Sequence, residues 1–172
     1  MLTSRAKLIR LIAFDVDGVM TDGGLYFSDS GEEFKRFNSR DGQGLKMLRA
    51  SGVEIALITG RTSRCVEARA KNLGIEHVFQ GVENKLETMV KLLNKLKLSR
   101  DTAAYMGDDV VDLTVMRGVG LAITVPDSPK LVRENSDYVT QLSGGHGAVR
   151  EACELIMSAQ GTLDEQLAIY LQ

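Results

Sequence analysis

The sequence predicts an α/β fold built on a doubly wound parallel sheet. Strand-like and helix-like segments alternate along most of the 172 residues. Several strand-like segments are continuous apolar runs, which is typical of strands buried on both faces of a sheet. These runs end in short polar stretches, as strands do where a parallel sheet carries a ligand site.

Six strands and six helices follow from this alternation. We predict the strands at Leu8–Asp15, Val53–Thr59, His77–Gln80, Thr102–Met106, Leu121–Thr124 and Tyr138–Thr140. We predict the helices at Gly42–Ala50, Ser63–Asn72, Lys85–Leu96, Val110–Arg117, Pro129–Glu134 and Ala148–Ala159. Gly52 and Gly74 stop two of the helices, and Pro129 suits the first turn of another.

One segment departs from the alternation and predicts a β-hairpin over residues 23–37. Gly23–Phe27 and Glu33–Phe37 flank the glycine-containing turn Ser28–Gly31. The hairpin carries four apolar side chains that need a cover, namely Leu25, Phe27, Phe34 and Phe37. Packing on the parent domain is one account. A subunit interface is the other, because an isolated hairpin is marginally stable in water.

Composition excludes several function classes. The chain has 21 basic and 23 acidic residues, so its charge favours neither nucleic acid nor an anionic membrane as a partner. No apolar run approaches the ~20 residues of a membrane span, and no signal-peptide pattern opens the chain. Cys65 and Cys153 lie in helical patterns and are expected to be reduced, so we expect a cytoplasmic protein.

Two carboxylates end the first predicted strand. Asp15 and Asp17 stand two residues apart, and Gly18 follows. Neighbouring carboxylates repel each other unless a cation or a shared proton relieves them. Hard oxygen ligands suit a hard cation, so the pattern indicates a Mg²⁺ site. On this pattern alone, a strand followed by an acidic turn stays possible.

Three later motifs extend the pattern in a fixed order. The full order is Asp15-x-Asp17, then Thr59-Gly60, then Lys85 at a helix start, then Gly107-Asp108-Asp109 with Asp112 beyond. This order resembles the haloacid dehalogenase superfamily of phosphotransferases. Each motif is weak alone, but four in order, each at the end of its element, are strong evidence.

A finer resemblance covers nearly the whole chain. Phe14–Asp22, Ser39–Gly44, Thr59–Arg61 and Gly144–Glu151 together resemble the family of 3-deoxy-D-manno-octulosonate 8-phosphate phosphatases. The resemblance implies a small phosphatase without a cap domain that assembles as a homotetramer. It also implies a small-molecule sugar-acid phosphate as substrate and a place in lipopolysaccharide synthesis.

Spacing also argues against a cap domain. In this superfamily, cap domains are inserted in two gaps. Here 43 residues separate Asp15 from Thr59 and 25 separate Thr59 from Lys85, and the predicted elements already fill both gaps. We therefore expect one domain over residues 1–160 and a tail over residues 161–172, either a short helix or a mobile segment that closes a neighbour's site.

The resemblance implies roles for five residues. Asp15 is the nucleophile that forms an aspartyl phosphate, and Asp17 is the general acid and then the base. Thr59 offers donors to the phosphoryl group, and Lys85 offsets the negative charge. Mg²⁺ is held by Asp15, the backbone carbonyl of Asp17, and Asp108.

Substrate binding is implied for a further set of residues. Arg61 can form a bidentate pair with a substrate carboxylate. If the segment is helical, Arg61, Cys65 and Arg69 share a face, so Arg69 either extends the cationic surface or is a solvated arginine. The implied substrate-binding set is Asp17, Asn38, Ser39, Arg40, Asp41, Gly42, Lys46, Gly60, Arg61, Arg69 and Lys85.

Three other functions compete with this one. A nine-carbon, sialic-type sugar-acid 9-phosphate is the nearest rival substrate, but those relatives tend to carry an acidic residue at the position of Arg61. Dehalogenation does not need an acid at Asp17. A scaffold with a vestigial site is disfavoured by the intact catalytic set.

Overall fold

A computed structural model describes residues 2–172 and confirms the parallel, doubly wound α/β fold. Its eight strands are β1 (Leu11–Phe14), β2 (Tyr26–Phe27), β3 (Glu33–Phe34), β4 (Glu54–Ile58), β5 (His77–Phe79), β6 (Ala103–Met106), β7 (Leu121–Thr124) and β8 (Tyr138–Val139). Six of them form one sheet in the order β5-β4-β1-β6-β7-β8, with every neighbouring pair parallel.

Helices precede, connect and follow these strands. They are α1 (Leu2–Leu8), α2 (Ser39–Ala50), α3 (Arg64–Leu73), α4 (Lys85–Leu96), α5 (Leu113–Met116), α6 (Lys130–Glu134), α7 (Ala148–Gln160) and α8 (Leu163–Ala168). Short 3-10 turns lie at Arg100–Thr102, Val110–Asp112 and Ile169–Leu171. None of the helices over residues 2–172 has the length and apolar composition of a membrane-spanning segment.

Two apolar layers cover the sheet, one on each face. Alternate residues of β1 enter opposite layers, because successive side chains of a strand point to opposite faces. Ile12 and Phe14 pack in the layer that contains residues of α1, α2, α3 and α7. Leu11 and Ala13 pack in the layer that contains residues of α4, α5 and α6. The sheet is therefore buried on both sides.

The strand order places a switch point at the end of β1. The chain runs from β1 outward to β4 and β5, then returns to the other side of β1 and runs outward through β6, β7 and β8. Ligands of open α/β sheets bind beyond the carboxyl ends of the strands at such a point. Asp15 is the first residue after β1, so it lies at this position.

Several predicted element boundaries are wrong. The first strand begins at Leu11 and not at Leu8, because residues 2–8 form α1, which packs on α7. The second helix begins at Ser39, since the Asn38 side chain caps it by accepting from the backbone N–H of Arg40 and Asp41. The segment predicted as one helix from Val110 divides into a 3-10 turn and α5.

The hairpin is shorter than its apolar pattern suggested. Its strands β2 and β3 are antiparallel and contain two residues each. Leu25, Phe27 and Phe34 are each about half exposed. Phe37 packs against the core of its own domain, so packing on the parent domain, one of the two accounts given above, holds for this residue.

The two gaps that hold cap domains in the haloacid dehalogenase superfamily contain none here. Between Asp15 and Thr59 the elements are the hairpin, α2 and β4, and between Thr59 and Lys85 they are α3 and β5. Across residues 2–172, the chain thus leaves the carboxyl edge of the sheet without a covering domain.

Candidate active site

A cleft of about 620 Å³ opens at the carboxyl edge of the sheet. Residues from four segments of the chain meet there because the strands that precede them are neighbours. The cleft is lined by Asp15, Asp17, Gly23, Thr59, Gly60, Arg61, Val82, Glu83, Lys85, Asp108, Asp109 and Val111. Seven of the residues proposed from the sequence are therefore in one place.

Asp15 and Lys85 form a buried ion pair at the floor of this cleft. The Lys85 Nζ donates to Asp15 Oδ2 at 2.7 Å, and the Val16 N–H donates to Asp15 Oδ1 at 2.7 Å. Burial raises the pKa of Asp15 to about 6, and the Asp112 carboxylate adds to the rise. Burial alone would lower the pKa of Lys85, but the Asp15 and Asp112 carboxylates outweigh it, so that pKa is raised.

Asp112 stabilises the site through hydrogen bonds and has no free oxygen lone pair to offer a metal ion. Its Oδ1 accepts from Lys85 Nζ and from the Tyr105 hydroxyl, while its Oδ2 accepts from the backbone N–H groups of Asp108 and Asp109. A carboxylate offers about four lone-pair positions, and four donors contact this one, with the single Tyr105 proton shared with the Ile58 carbonyl oxygen. Asp112 thus orients Lys85 and the loop that carries Asp108.

The Asp108 carboxylate is held against a glycine. A Cβ atom at Gly18 would lie 2.1 Å from Asp108 Oδ2, and Gly18 has a φ of +86°. Both the close approach and the left-handed backbone require glycine here. The loop before α7 packs equally closely against Gly18. A Cβ atom at Gly144, in that loop, would lie 1.8 Å from the Gly18 carbonyl oxygen.

The carboxylates fit a divalent cation. Ligand oxygens of Asp15, Asp108 and Asp112 lie within 4.8 Å of one another. Burial, followed by the charges of Asp15, Asp112 and Asp109, raises the pKa of Asp108 to about 7. Among residues 2–172, no donor hydrogen-bonds the Asp108 carboxylate. Because Asp112 is saturated, Asp15 and Asp108 are the side chains available as ligands.

Asp17 lies in an ion network that the sequence analysis missed. Lys35 Nζ lies 2.5 Å from Asp17 Oδ1 and 3.2 Å from Glu33 Oε1. Arg61 Nη2 donates to Glu33 Oε1 at 3.1 Å, and Arg61 Nε lies 3.7 Å from Asp17 Oδ2. Glu33 and Lys35 are alternate residues of the hairpin directly after the Asp15 loop. Their positions two residues apart in this hairpin were the sequence feature that could have indicated both residues as part of the site.

Arg61 does not share a helix face with Cys65 and Arg69. Helix α3 begins at Arg64, and Ser63 before it has an extended backbone. Arg61 therefore lies in the loop after β4 and lines the cleft. Arg69 points elsewhere: its Nη2 donates to the Asn38 carbonyl oxygen, and its guanidinium lies over the Phe37 ring.

The other proposed substrate-binding residues form a second cluster at the start of α2. Asp41 is buried and accepts from the Arg150 N–H at 2.8 Å, whereas Ser39, Arg40 and Lys46 are exposed. None of the residues from Asn38 to Gly42 lines the cleft that contains Asp15. Within the described chain, these residues and Arg69 are thus separate from Asp15, Asp17 and Asp108.

The cleft has the parts that phosphoryl transfer requires. A carboxylate nucleophile is available at Asp15 and a second carboxyl group at Asp17. Positive charge comes from Lys85, and a divalent cation held by Asp15 and Asp108 would add to it. Transfer of a phosphoryl group depends mainly on this positioning and electrostatic stabilisation. The geometry is therefore suited to phosphate ester chemistry.

Fold and site together define a haloacid dehalogenase-like hydrolase, and a family model of that description matches residues 77–151. A relative in Escherichia coli strain K12 is 48% identical over 162 residues, which cover 94% of this chain and 86% of the relative. That relative is the 3-deoxy-D-manno-octulosonate 8-phosphate phosphatase KdsC. The chain belongs to the family of 3-deoxy-D-manno-octulosonate 8-phosphate phosphatases.

Solved structures agree with this membership. The phosphatase of this family from Moraxella catarrhalis, in complex with magnesium ion, phosphate ion and KDO, is 45% identical with a TM-score of 0.96, and the match covers 98% of this chain and 97% of that one. A cobalt-bound family member from Haemophilus influenzae is 34% identical with a TM-score of 0.91, with coverages of 95% and 99%.

Proposed function

We propose that this protein is a Mg²⁺-dependent phosphatase that hydrolyses 3-deoxy-D-manno-octulosonate 8-phosphate to the free sugar acid and inorganic phosphate. The reaction belongs to lipopolysaccharide synthesis. One observation carries the proposal: the Asp15–Lys85 pair, Asp108 and Arg61 line a single cleft at the end of the central strand. The family relatives carry the same activity in their names.

Asp15 is the nucleophile in this proposal. One of its carboxylate oxygens attacks phosphorus, the bond from phosphorus to the sugar oxygen breaks, and an aspartyl phosphate forms. Lys85, 2.7 Å from Asp15 Oδ2, offsets the charge of the nucleophile and of the transferring group. Thr59, which is buried at the end of β4, offers its hydroxyl and the adjacent Gly60 its backbone N–H to the phosphoryl oxygens.

Asp17 handles the protons. It protonates the leaving sugar oxygen in the first step. In the second step it takes a proton from the water whose oxygen attacks phosphorus, which breaks the bond to Asp15, releases inorganic phosphate and restores the Asp15 carboxylate. Asp15, Asp108 and the backbone carbonyl of Asp17 would hold the Mg²⁺, which when bound supplies positive charge to the phosphoryl oxygens.

Arg61 selects the sugar acid. Its side chain is 45% exposed and faces the cleft, so the guanidinium is accessible to a substrate carboxylate. An arginine pairs with a carboxylate through two parallel hydrogen bonds, which a neutral sugar cannot offer. The nine-carbon alternative stays a competing substrate, and its discrimination depends on the same residue.

Assembly as a homotetramer would complete the site. The substrate-binding residues from Asn38 to Gly42, with Lys46 and Arg69, do not line their own chain's cleft, so we infer that they serve a neighbouring subunit's cleft. The exposed Leu25, Phe27 and Phe34 give the hairpin an apolar surface for the contact. The domain over residues 1–160 would form the tetramer, and the tail over residues 161–172 would cover a neighbour's site.

A cytoplasmic location is part of this proposal. Cys65 and Cys153 are both free thiols. Free cysteines are usual where the surroundings are reducing.

The test of the proposed function compares substrates in the wild type and in Arg61→Ala. We expect the wild type to prefer 3-deoxy-D-manno-octulosonate 8-phosphate over neutral sugar phosphates and over the nine-carbon acid 9-phosphate. Arg61→Ala should lower kcat/KM for the sugar-acid phosphate by about one to two decades, since a charge-assisted hydrogen bond contributes about 1.5–3 kcal/mol. Phosphate release measures all of these rates.

The neutral sugar phosphates are the control for Arg61. Their kcat/KM should change little in Arg61→Ala. An equal loss on acidic and neutral substrates would assign Arg61 to the phosphate and not to the carboxylate. A wild type that prefers neutral sugar phosphates would contradict the proposed substrate.

The test of assembly places a charge on the hairpin. Light scattering should show a tetramer for the wild type and smaller species for Phe27→Glu, because the new carboxylate cannot be buried in an apolar interface. The smaller species should hydrolyse small aryl phosphates but hydrolyse the sugar-acid phosphate poorly. Leu131→Glu is the matched control, since Leu131 is equally exposed but lies on α6. A fully active wild-type monomer would refute the tetramer.

A further inference from the structure

Lys35 is buried against the general acid, yet the mechanism above gives it no role. Its side chain is 1% exposed, and its ammonium lies 2.5 Å from Asp17 and 3.2 Å from Glu33. Lysine is almost never fully buried unless it is paired, because an ammonium group loses its hydration on burial. The two carboxylates are therefore what holds Lys35 in this position.

Two cations share these carboxylates, but they differ in access. Arg61, at 45% exposure, contacts Glu33 and Asp17 from the cleft side. Lys35 contacts the same two carboxylates from the protein side. Arg61 is accessible to a substrate, whereas Lys35 is limited to its protein partners. The two cations and the two carboxylates have zero net charge when all four groups are ionised, so each positive charge is balanced by a negative one.

We propose that Lys35 is a positioning residue for Asp17, an inference that rests on the proposed phosphatase function. Asp17 lies on a loop, where its side chain has several staggered rotamers unless a partner selects one. Lys35 takes Asp17 Oδ1, which leaves Oδ2 on the side of Arg61 and the cleft. That oxygen is then the one that serves the leaving group of the substrate.

Glu33 sets the position of Lys35 in turn. The two residues stand two apart in the hairpin's second arm, and the 3.2 Å contact between Lys35 Nζ and Glu33 Oε1 places their side chains on the same side. Glu33 accepts from Arg61 and contacts Lys35 through the same oxygen, Oε1. The placement of the hairpin thus determines the placement of the general acid.

The experiment measures the dependence of rate on the leaving group. Wild type, Lys35→Met and Asp17→Asn would hydrolyse a series of aryl phosphates whose phenols differ in acidity. With the poorest leaving group, Lys35→Met should lower kcat about 10- to 100-fold, because a misplaced catalytic group costs up to about that factor. With the best leaving group, which needs little protonation, the loss should be under about threefold.

The slope of log kcat against leaving-group pKa is the decisive readout. Lys35→Met should steepen it in the same sense as Asp17→Asn, and Lys35→Arg should stay nearer to the wild-type slope. Lys91→Met is the matched control, since Lys91 is a 74% exposed lysine paired with Glu87. It should leave the slope unchanged. A parallel loss on every substrate in Lys35→Met would show a structural role only and would overturn the proposal.

If Lys35→Met does not fold, a second variant, Glu33→Gln, tests the same proposal. Glu33→Gln removes one partner of Lys35 and keeps the ammonium, so it should steepen the slope to a smaller degree. A folded Glu33→Gln with the wild-type slope would also overturn the proposal. A wild type that releases phosphate from neither the aryl phosphates nor 3-deoxy-D-manno-octulosonate 8-phosphate would refute the proposed function itself, before any variant is compared.

Discussion

Asp15→Asn should abolish turnover while the protein stays folded. The amide cannot attack phosphorus, and it is a poorer ligand for the proposed Mg²⁺, so we expect a loss of at least about a thousandfold in kcat. The fold should not suffer, because Lys85 keeps Asp112 as a partner at 2.6 Å. Without metal, the midpoint of thermal unfolding should stay unchanged or rise, since burial and Asp112 disfavour a charged Asp15.

Two measurements check this result. Phosphate release gives the activity, and intact-protein mass spectrometry after an acid quench should detect a phosphoryl adduct on the wild type during turnover but none on Asp15→Asn. If Asp15→Asn retained more than a few per cent of the wild-type rate, the covalent mechanism proposed here would be wrong.

Asp108→Asn should remove most of the response to Mg²⁺. Loss of a group next to a metal costs about 10- to 100-fold in metal affinity even when it is not itself a ligand, so the Mg²⁺ concentration for half-maximal rate should rise by at least that factor. Thermal unfolding provides a readout without turnover. A ligand at 100 times its Kd stabilises a protein by about 2.7 kcal/mol, and this gain should be missing in Asp108→Asn over the range that stabilises the wild type.

The matched control is Asp109→Asn. Asp109 also lines the cleft, but its side chain accepts from the Val110 N–H and caps the following turn. We expect it to alter the Mg²⁺ requirement far less than Asp108→Asn. Chelation of the metal should abolish the phosphatase activity of the wild type, and added Mg²⁺ should restore that activity. Full activity in the presence of chelator, with no metal found by elemental analysis, would rule out this site.

The meeting of the cleft carboxylates could be predicted from the sequence because sheet topology alone brings them together. Asp15 and Asp108 each follow a parallel strand, and β1 and β6 are neighbours. Thr59 follows β4, the other neighbour of β1. Once the chain is known to form a parallel sheet, the order of the strands places these residues at one edge.

Residues of the hairpin could not be placed in the same way. Glu33 and Lys35 contact Asp17 only because the hairpin folds back over the loop that follows β1. The hairpin does not pair with the main sheet, so strand pairing does not determine its orientation. The start of α3 at Arg64 lies within one residue of the predicted Ser63, so the i, i+4 spacing from Arg61 to Cys65 did not indicate a shared helix face. The periodicity of the sequence thus could not predict contacts that depend on loop conformation.

The contact between Gly144 and the loop after β1 affects how mutational scans of this protein would be interpreted. Gly144 has no chemical group to contribute, yet any side chain at this position would collide with the backbone of Gly18 and Thr21. The displaced backbone belongs to the same loop as Asp15 and Asp17. Substitutions at Gly144 would therefore resemble active-site substitutions in an activity screen, and a map of sensitive positions would extend beyond the residues that perform the reaction.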